Sequence, residues 1–286
     1  MTQLSPFGQY SYLAVTRPNT KMKIYRNTKR EKELFAAVQK TLEQQREGIH
    51  ASDLLAPRLS YFRKLHPLPL TAEEVGYFAT GHGHHMFLVH LNTGKKGVSQ
   101  EDSFVSEKYG ITYSPDLAAE KAEFKTARYA QIQTTVAQCE KDFDRYIQQC
   151  MMYALCENID YWHLYILYIG LRKKGPDGTF IGGLKAPIPR CFTVRWTKEE
   201  LEKGDEWLRE RAALFTEALE KEDYRKLPLC EEWQCVRWDP EVKAKVIQCP
   251  YWKQCKPKGR YGKVDALPYS TGRDEAELKP RRKVRS

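Results

Sequence analysis

With 286 residues, 41% of them hydrophobic and 12% aromatic, the chain can bury a substantial core, which excludes wholesale disorder. Forty-seven Lys and Arg against 37 Asp and Glu leave a net charge of +10, compatible with a polyanionic partner. The longest apolar run, Tyr161 to Leu171, spans 11 residues, includes His163 and falls short of the roughly 18–20 that a membrane span needs. No basic stretch precedes an apolar one at the N-terminus, so secretion is not expected. The expectation is a soluble globular protein of the cytoplasm (host-cell cytoplasm if the source is viral) with no membrane partner.

Leu34, Phe35, Val38 and Leu42 recur at helical spacing and predict a helix over 28–48. Ser52-Asp53 reads as an N-cap before Leu54, Leu55, Leu59 and Phe62, and Pro67 and Pro69 stop that helix. A third helix opens at Thr71, with Glu73 and Glu74 in its first turn, and runs towards Gly81. The period then changes. Strands are expected over 103–112 and 119–126, around a Ser114-Pro115-Asp116 turn. A long helix follows from about Asp142 to Asn158, then a buried strand from Tyr161 to Leu171. Gly175 to Gly178 reads as a turn and Arg190 to Trp196 as a strand, and Thr197 caps a charged helix reaching about Lys221. This order gives an α/β fold with a mixed central sheet.

Cysteine use divides in two. Cys139, Cys150, Cys156 and Cys191 are scattered and read as small buried hydrophobes. Cys230, Cys235, Cys249 and Cys255 instead fall as Cys-x4-Cys-x13-Cys-x5-Cys, among Trp233, Trp238 and Trp252. In a reducing compartment such a cluster suggests a metal site more than a disulfide pair. The last eight residues carry five positive charges, from Lys279 to Arg285; two other basic stretches, Lys21 to Arg30 and Tyr251 to Lys263, are interleaved with aromatics. Nucleic acid wants that mixture, although a charged tail is also simply well solvated.

One constellation carries chemistry. Glu123 and Lys125 are two apart on an expected strand and share a face, while Ala122, Phe124 and Thr126 take the other. Asp116 closes the preceding strand. Two carboxylates converging with an ammonium suit a hard divalent cation, Mg²⁺ or Mn²⁺.

Gly110-Ile111, Ser114-Pro115-Asp116 and Glu123-Phe124-Lys125-Thr126 resemble the PD-(D/E)XK nuclease superfamily, in the RecB-like branch that includes CRISPR-associated exonucleases. Three more stretches match that branch in order. Ser52-Asp53-Leu54 with Pro57-Arg58 and Tyr61-Phe62 is similar to its N-terminal helix, Gly81 to His85 to its Gly-x-x-x-His motif, and Gln149 to Tyr153 to its Gln-x-x-x-Tyr motif.

The resemblance implies a restriction-endonuclease-like core and a metal-dependent deoxyribonuclease, most simply an exonuclease on DNA ends or single strands in recombination, repair or replication. A structure-specific endonuclease and a non-catalytic nucleic-acid-binding module stay open as alternatives. It makes Asp116, Glu123 and Lys125 catalytic, puts His85 with Asp116 and Glu123 on the metal, and gives Gln149, Tyr153, Arg58 and Tyr61 to the substrate. Iron–sulfur members take one cysteine from the N-terminal helix; Ala56 stands there in this chain, so Cys230, Cys235, Cys249 and Cys255 would complete a [4Fe–4S] or Zn²⁺ centre locally. The expected organisation is a helical extension at 1–48, a nuclease core at 49–225, a cysteine-rich segment at 226–262 and a flexible basic tail at 263–286. No Gly-x4-Gly-Lys-Ser/Thr motif occurs, so unwinding would come from a helicase or annealing partner.

Overall fold

The computed structural model describes residues 28–42, 47–71, 74–76, 78–81, 83, 103–127, 132–133, 135–169, 173–174, 180–181, 188–239, 244–247 and 249–255. His85, the 175–178 turn, the stretch before Thr28 and the basic tail lie outside them. The chain divides into two compact units, Met1–Ala37 and Val38–Ser286.

In chain order come α1 (Thr28–Leu42), α2 (Ala51–Leu55), α3 (Pro57–Leu65), β1 (Phe104–Ser106), β2 (Ile111–Tyr113), β3 (Ala122–Ala127) and α4 (Val136–Glu157). Then follow β4 (Tyr161–Tyr168), β5 (Lys173–Lys174), β6 (Phe180–Ile181), β7 (Ile188–Arg195), α5 (Lys198–Glu220), α6 (Glu232–Cys235), β8 (Val236–Asp239), β9 (Ala244–Ile247) and α7 (Trp252–Cys255). Strands β3, β4 and β7 form a mixed sheet in that order, β3 parallel and β7 antiparallel to β4. Parallel neighbours need a long crossover, and α4 supplies it.

Strand β4 explains the layering. Its residues alternate strictly, with Trp162, Leu164, Ile166 and Tyr168 buried. The buried set joins Phe143, Met152 and Tyr153 of α4 in one core with Leu208, Ala212 and Phe215 of α5. Helices α4 and α5 approach closely at Gly204, where a Cβ would stand 2.6 Å from Met151 Sδ. Thr197 caps α5 in a reciprocal box with Glu200, as its sequence anticipates. Among the described residues, no helix is long and apolar enough to cross a membrane.

Several boundaries differ from expectation for identifiable reasons. Helix α1 is described over Thr28–Leu42, residues 43–46 of the expected helix lie outside the described residues, and Gly48 is left-handed at φ +72°. The N-cap of α2 is His50, not Ser52-Asp53; Asp53 is the third helical residue, and its carboxylate accepts from the His50 N–H at 2.9 Å. Ala56 breaks the expected single helix into α2 and α3, with Pro57 opening the second. The 103–112 strand is a hairpin, reversed at Gly110 with φ +65°. Helix α4 starts six residues early, because Thr135 and Gln138 form a capping box ahead of Val136. Cys191 is exposed on β7 and so departs from the buried reading, whereas Cys150 is fully buried.

The C-terminal segment was expected only as a cysteine cluster and contains the β8–β9 hairpin between two single-turn helices. Tyr251 stacks on Phe62 at 5.4 Å and donates to the His66 carbonyl at 3.0 Å. Tyr224 donates to the Gln254 carbonyl at 2.8 Å. These contacts seat the segment on α3.

Candidate active site

The site is assembled where the turn after β2 meets β3 and the middle of α4. Asp116 follows Ser114-Pro115, and its Oδ2 accepts from the Phe124 N–H at 2.6 Å. An isolated bridge between Leu117 and Ala122 closes the intervening turn. Lys121 ends that turn in the left-handed region, at φ 53°. Its ammonium lies 2.7 Å from Glu157 Oε2, and Tyr113 OH donates to Glu157 Oε1 at 3.3 Å. The carboxylate ending α4 therefore ties down the turn that spaces Asp116 from Glu123.

Strand β3 places its alternate residues as the sequence predicts. Phe124 packs with Ala122, Leu117 and Tyr165 on one face. Glu123 and Lys125 take the other and form an ion pair, with Glu123 only 2% exposed. Glu123 Oε1 also accepts from Gln149 Nε2 at 3.0 Å, and the same amide lies 2.5 Å from Tyr153 OH. Tyr153 OH reaches the Ser114 carbonyl at 3.4 Å. Gln149 and Tyr153, one turn apart on α4, thus link the two ends of the Asp116 turn, and both are buried. The Lys125 ammonium lies 5.7 Å from the Tyr146 ring centroid.

The electrostatics follow from burial. Loss of solvent, helped by the Asp116 charge and opposed by Lys125, pushes Glu123 up to about 7. Burial alone would lower Lys125, but Glu123 and Asp116 outweigh it and the ammonium is held above its ordinary range. Among the described residues Glu123 Oε2 is buried with no close hydrogen-bond partner, while the Asp116 backbone N–H contributes a weaker favourable contact to the carboxylate. A buried carboxylate oxygen left over, with a second carboxylate close enough to raise its pKa, is the donor chemistry a hard cation requires. On that observation Asp116 and Glu123 fit a divalent ion, while the third expected ligand, His85, lies outside the described residues. Among the described residues no three His, Cys, Asp or Glu side chains are placed to hold a metal ion.

The remaining expected residues lie elsewhere. Arg58 donates to the carbonyls of Leu227 and Arg225, the latter at 3.1 Å, and to Cys255 Sγ at 3.8 Å. Tyr61 packs against Phe62 and Tyr224. Arg58 therefore joins α3 to the C-terminal segment, and Tyr61 packs on Tyr224 just ahead of it. All four clustered cysteines are buried. Cys235 hydrogen-bonds with Cys230, which raises the Cys230 thiol's pKa, and with Cys249, which is lowered. Burial raises Cys255, against the Arg58 guanidinium beside it. The four thiols lie within electrostatic reach of one another, Cys230, Cys235 and Cys249 through hydrogen bonds and Cys255 beside Arg58, without three of them placed as a ready ligand set among the described residues.

Sequence reasoning missed Lys121, Glu157 and Tyr146. Tyr146 precedes Gln149 by three residues, so helical spacing could have found it. The Lys121–Glu157 pair is 36 residues apart and left no local signal.

No family model matches the chain, and no curated protein does. Solved structures return partial likenesses. A phage-related exonuclease from Haemophilus somnus 129PT is 13% identical with a TM-score of 0.33, covering 49% of this chain and 69% of that one. SSO0001 is 13% identical with a TM-score of 0.40, covering 74% and 93%. The alkaline exonuclease LHK-Exo from Laribacter hongkongensis is 14% identical with a TM-score of 0.31, covering 69% and 100%. Superpositions this loose do not assign chemistry; the side chains of the site have to.

Proposed function

We propose that the protein is a divalent-metal-dependent deoxyribonuclease, an exonuclease hydrolysing phosphodiester bonds at DNA ends or in single strands during recombination, repair or replication. One observation carries the reading: Lys125 and Gln149 bond the buried Glu123 carboxylate, the Asp116 charge acts on it, and among the described residues its second oxygen has no close hydrogen-bond partner. A structural or merely solvated carboxylate would not be so arranged, because an unpaired buried oxygen costs free energy.

Mg²⁺ or Mn²⁺ held by Asp116 and Glu123, with His85 as further ligand, would lower the pKa of a bound water and polarise the scissile phosphate. The protein's own groups do the rest. Lys125 stays protonated throughout the working range and sets a positive charge against the negative charge developing on phosphate. Gln149 fixes the rotamer of Glu123, and Tyr153 holds Gln149. The backbone N–H of Phe124 orients Asp116. The net charge of +10 favours a polyanion. The preference for ends over internal bonds rests on the family resemblance, as does any helicase or annealing partner.

A metal at the cysteine segment belongs to this proposal as a structural centre only, iron–sulfur or zinc, and would have to replace Arg58 as the partner of Cys255. No catalytic step passes through it.

End-labelled single-stranded and duplex DNA, linear and circular, tests the activity. Linear DNA should be degraded with Mg²⁺ or Mn²⁺ and spared with chelator, and circles should resist. Cutting of circles would make the enzyme an endonuclease. Tight binding of every form without cleavage would leave a nucleic-acid-binding module.

A further inference from the structure

A cavity of about 220 Å³ lies between the α2–α3 junction, α4, α5 and residues 228–234, and none of Asp116, Glu123, Lys125, Gln149 and Tyr153 lines it. Its charged lining is two guanidiniums, Arg145 and Arg211, and two carboxylates, Asp144 and Glu231. Arg145 of α4 donates to the Leu55 carbonyl at 2.6 Å. Burial lowers its pKa, and its ionisable neighbours are the Cys230 thiol, the carboxylates of Glu231 and Asp144, and the Tyr146 phenol. Both acidic residues are exposed, and Asp144 already accepts from Gln148 at 2.7 Å. Arg211 of α5 differs. It is half-buried, its guanidinium lies 5.2 Å from the Trp207 ring centroid, and among the described residues it has no carboxylate or hydrogen-bond partner.

A guanidinium taken partly out of water without an anion loses hydration that a ring face only partly restores. Burial accordingly lowers Arg211's pKa. The missing element is an acceptor for its planar fork of donors. We infer that this cavity is a binding site for a small phosphate-type oxyanion, gripped by Arg211 and Arg145 beside Trp207. Bidentate geometry favours phosphate over chloride. Size limits the ligand: the cavity is smaller than the roughly 300–1,000 Å³ usual for drug-sized molecules, so a phosphate group fits and a whole nucleotide does not. The anion is either free inorganic phosphate or the terminal phosphate of a strand. The inference does not rest on the nuclease assignment.

Titration calorimetry of the full chain, with chelator present so that no cleavage intervenes, tests the inference. Inorganic phosphate at constant ionic strength should bind saturably to the wild type. Arg211→Gln and Arg145→Gln should each weaken binding about tenfold or more, the scale of one charge-assisted bond. Arg211→Lys, which keeps the charge but loses the fork, should recover only part. An oligonucleotide with a 5′-phosphate should outbind its unphosphorylated twin in wild type but not in Arg211→Gln if the strand end is the source; equal binding of the twins, with phosphate still saturable, assigns the free anion. Absence of saturable phosphate binding to the wild type overturns the inference. So does unchanged affinity in an Arg211→Gln protein whose melting matches wild type.

Discussion

A buried carboxylate must lose its proton before it can hold a cation, and in the metal-free protein Glu123 gives up that proton only near pH 7. Manganese affinity should therefore rise about tenfold per unit as pH approaches 7 from below, then level off. Calorimetric titrations below, at and above pH 7 measure this; a flat profile would remove Glu123 from the metal site. The raised pKa also fixes the sign of a stability effect. Between the unfolded value of 4.5 and about 7 the folded form retains a proton that the unfolded form has lost, so this group's contribution to stability falls as pH rises through that window. Asp116→Ala, Glu123→Ala and Lys125→Ala should each abolish cleavage. If folded Lys125→Ala protein degrades DNA at the wild-type rate, its assignment as the charge-stabilising group is wrong. The Glu123/Lys125 face was legible because a strand has a period of two. The role of Gln149 was only half legible: helical spacing paired it with Tyr153, but its grip on Glu123 needed the sheet and helix docked together. If its hold on Glu123 is its main role, Gln149→Ala should lower kcat more than it raises KM; a mainly raised KM would return it to the expected substrate contact.

Among the elements, the β1–β2 hairpin shows what sequence periodicity could not supply. Strand propensity runs through 103–112 without a break, and the reversal depends on Gly110 and on a clasp formed at long range. Tyr109 OH donates to Asp205 of α5, which also takes Lys108 and, at 2.9 Å, Arg209. Burial pushes the Tyr109 phenol up to about 12. Burial would raise Asp205 as well, but the three donors outweigh it and hold the carboxyl well below its usual range. A depressed folded pKa gives stability that is complete above the unfolded value of 3.8 and is lost as pH falls below it. Asp205→Asn should lower stability by about 1 kcal/mol at neutral pH, because two of its three partners are half-exposed and screened by solvent, and the deficit should shrink in acid. Denaturant melts at neutral and acid pH check this; an equal deficit at both would place the loss in packing. The capping boxes at Thr135 and Thr197 follow a pattern of fixed spacing. Only the second entered the predicted boundary, because polar residues before Asp142 obscured the first six residues of α4.

For the whole molecule, the order of elements and the mixed sheet could be read from hydrophobic period and turn chemistry. The docking of the C-terminal segment could not, since it depends on pairs such as Tyr251 with His66 and Arg58 with Leu227, separated by more than 160 residues. Arg58 connects the two ends of this assembly and also touches Cys255, so the segment offers two competing partners for one sulfur. Soft, buried thiols hold iron or zinc only as thiolates, and metal binding would then be coupled to docking of the segment. Anaerobically purified protein should carry one metal centre, brown and absorbing near roughly 400 nm if iron–sulfur, colourless if zinc. Cys249→Ser with Cys255→Ser should release it and lower the melting temperature, while Cys191→Ser, on an exposed strand position, should change neither. Arg58→Ala separates the two structural accounts. If the guanidinium is the sole partner of Cys255, its loss strands the carbonyls of Arg225 and Leu227 and destabilises the segment, with chelator making no further difference. If a metal takes that sulfur, chelator should lower the melting temperature of wild type and Arg58→Ala alike. Four titratable thiols, no iron or zinc, and a melt indifferent to chelator would reduce the cluster to buried cysteines packed around an arginine.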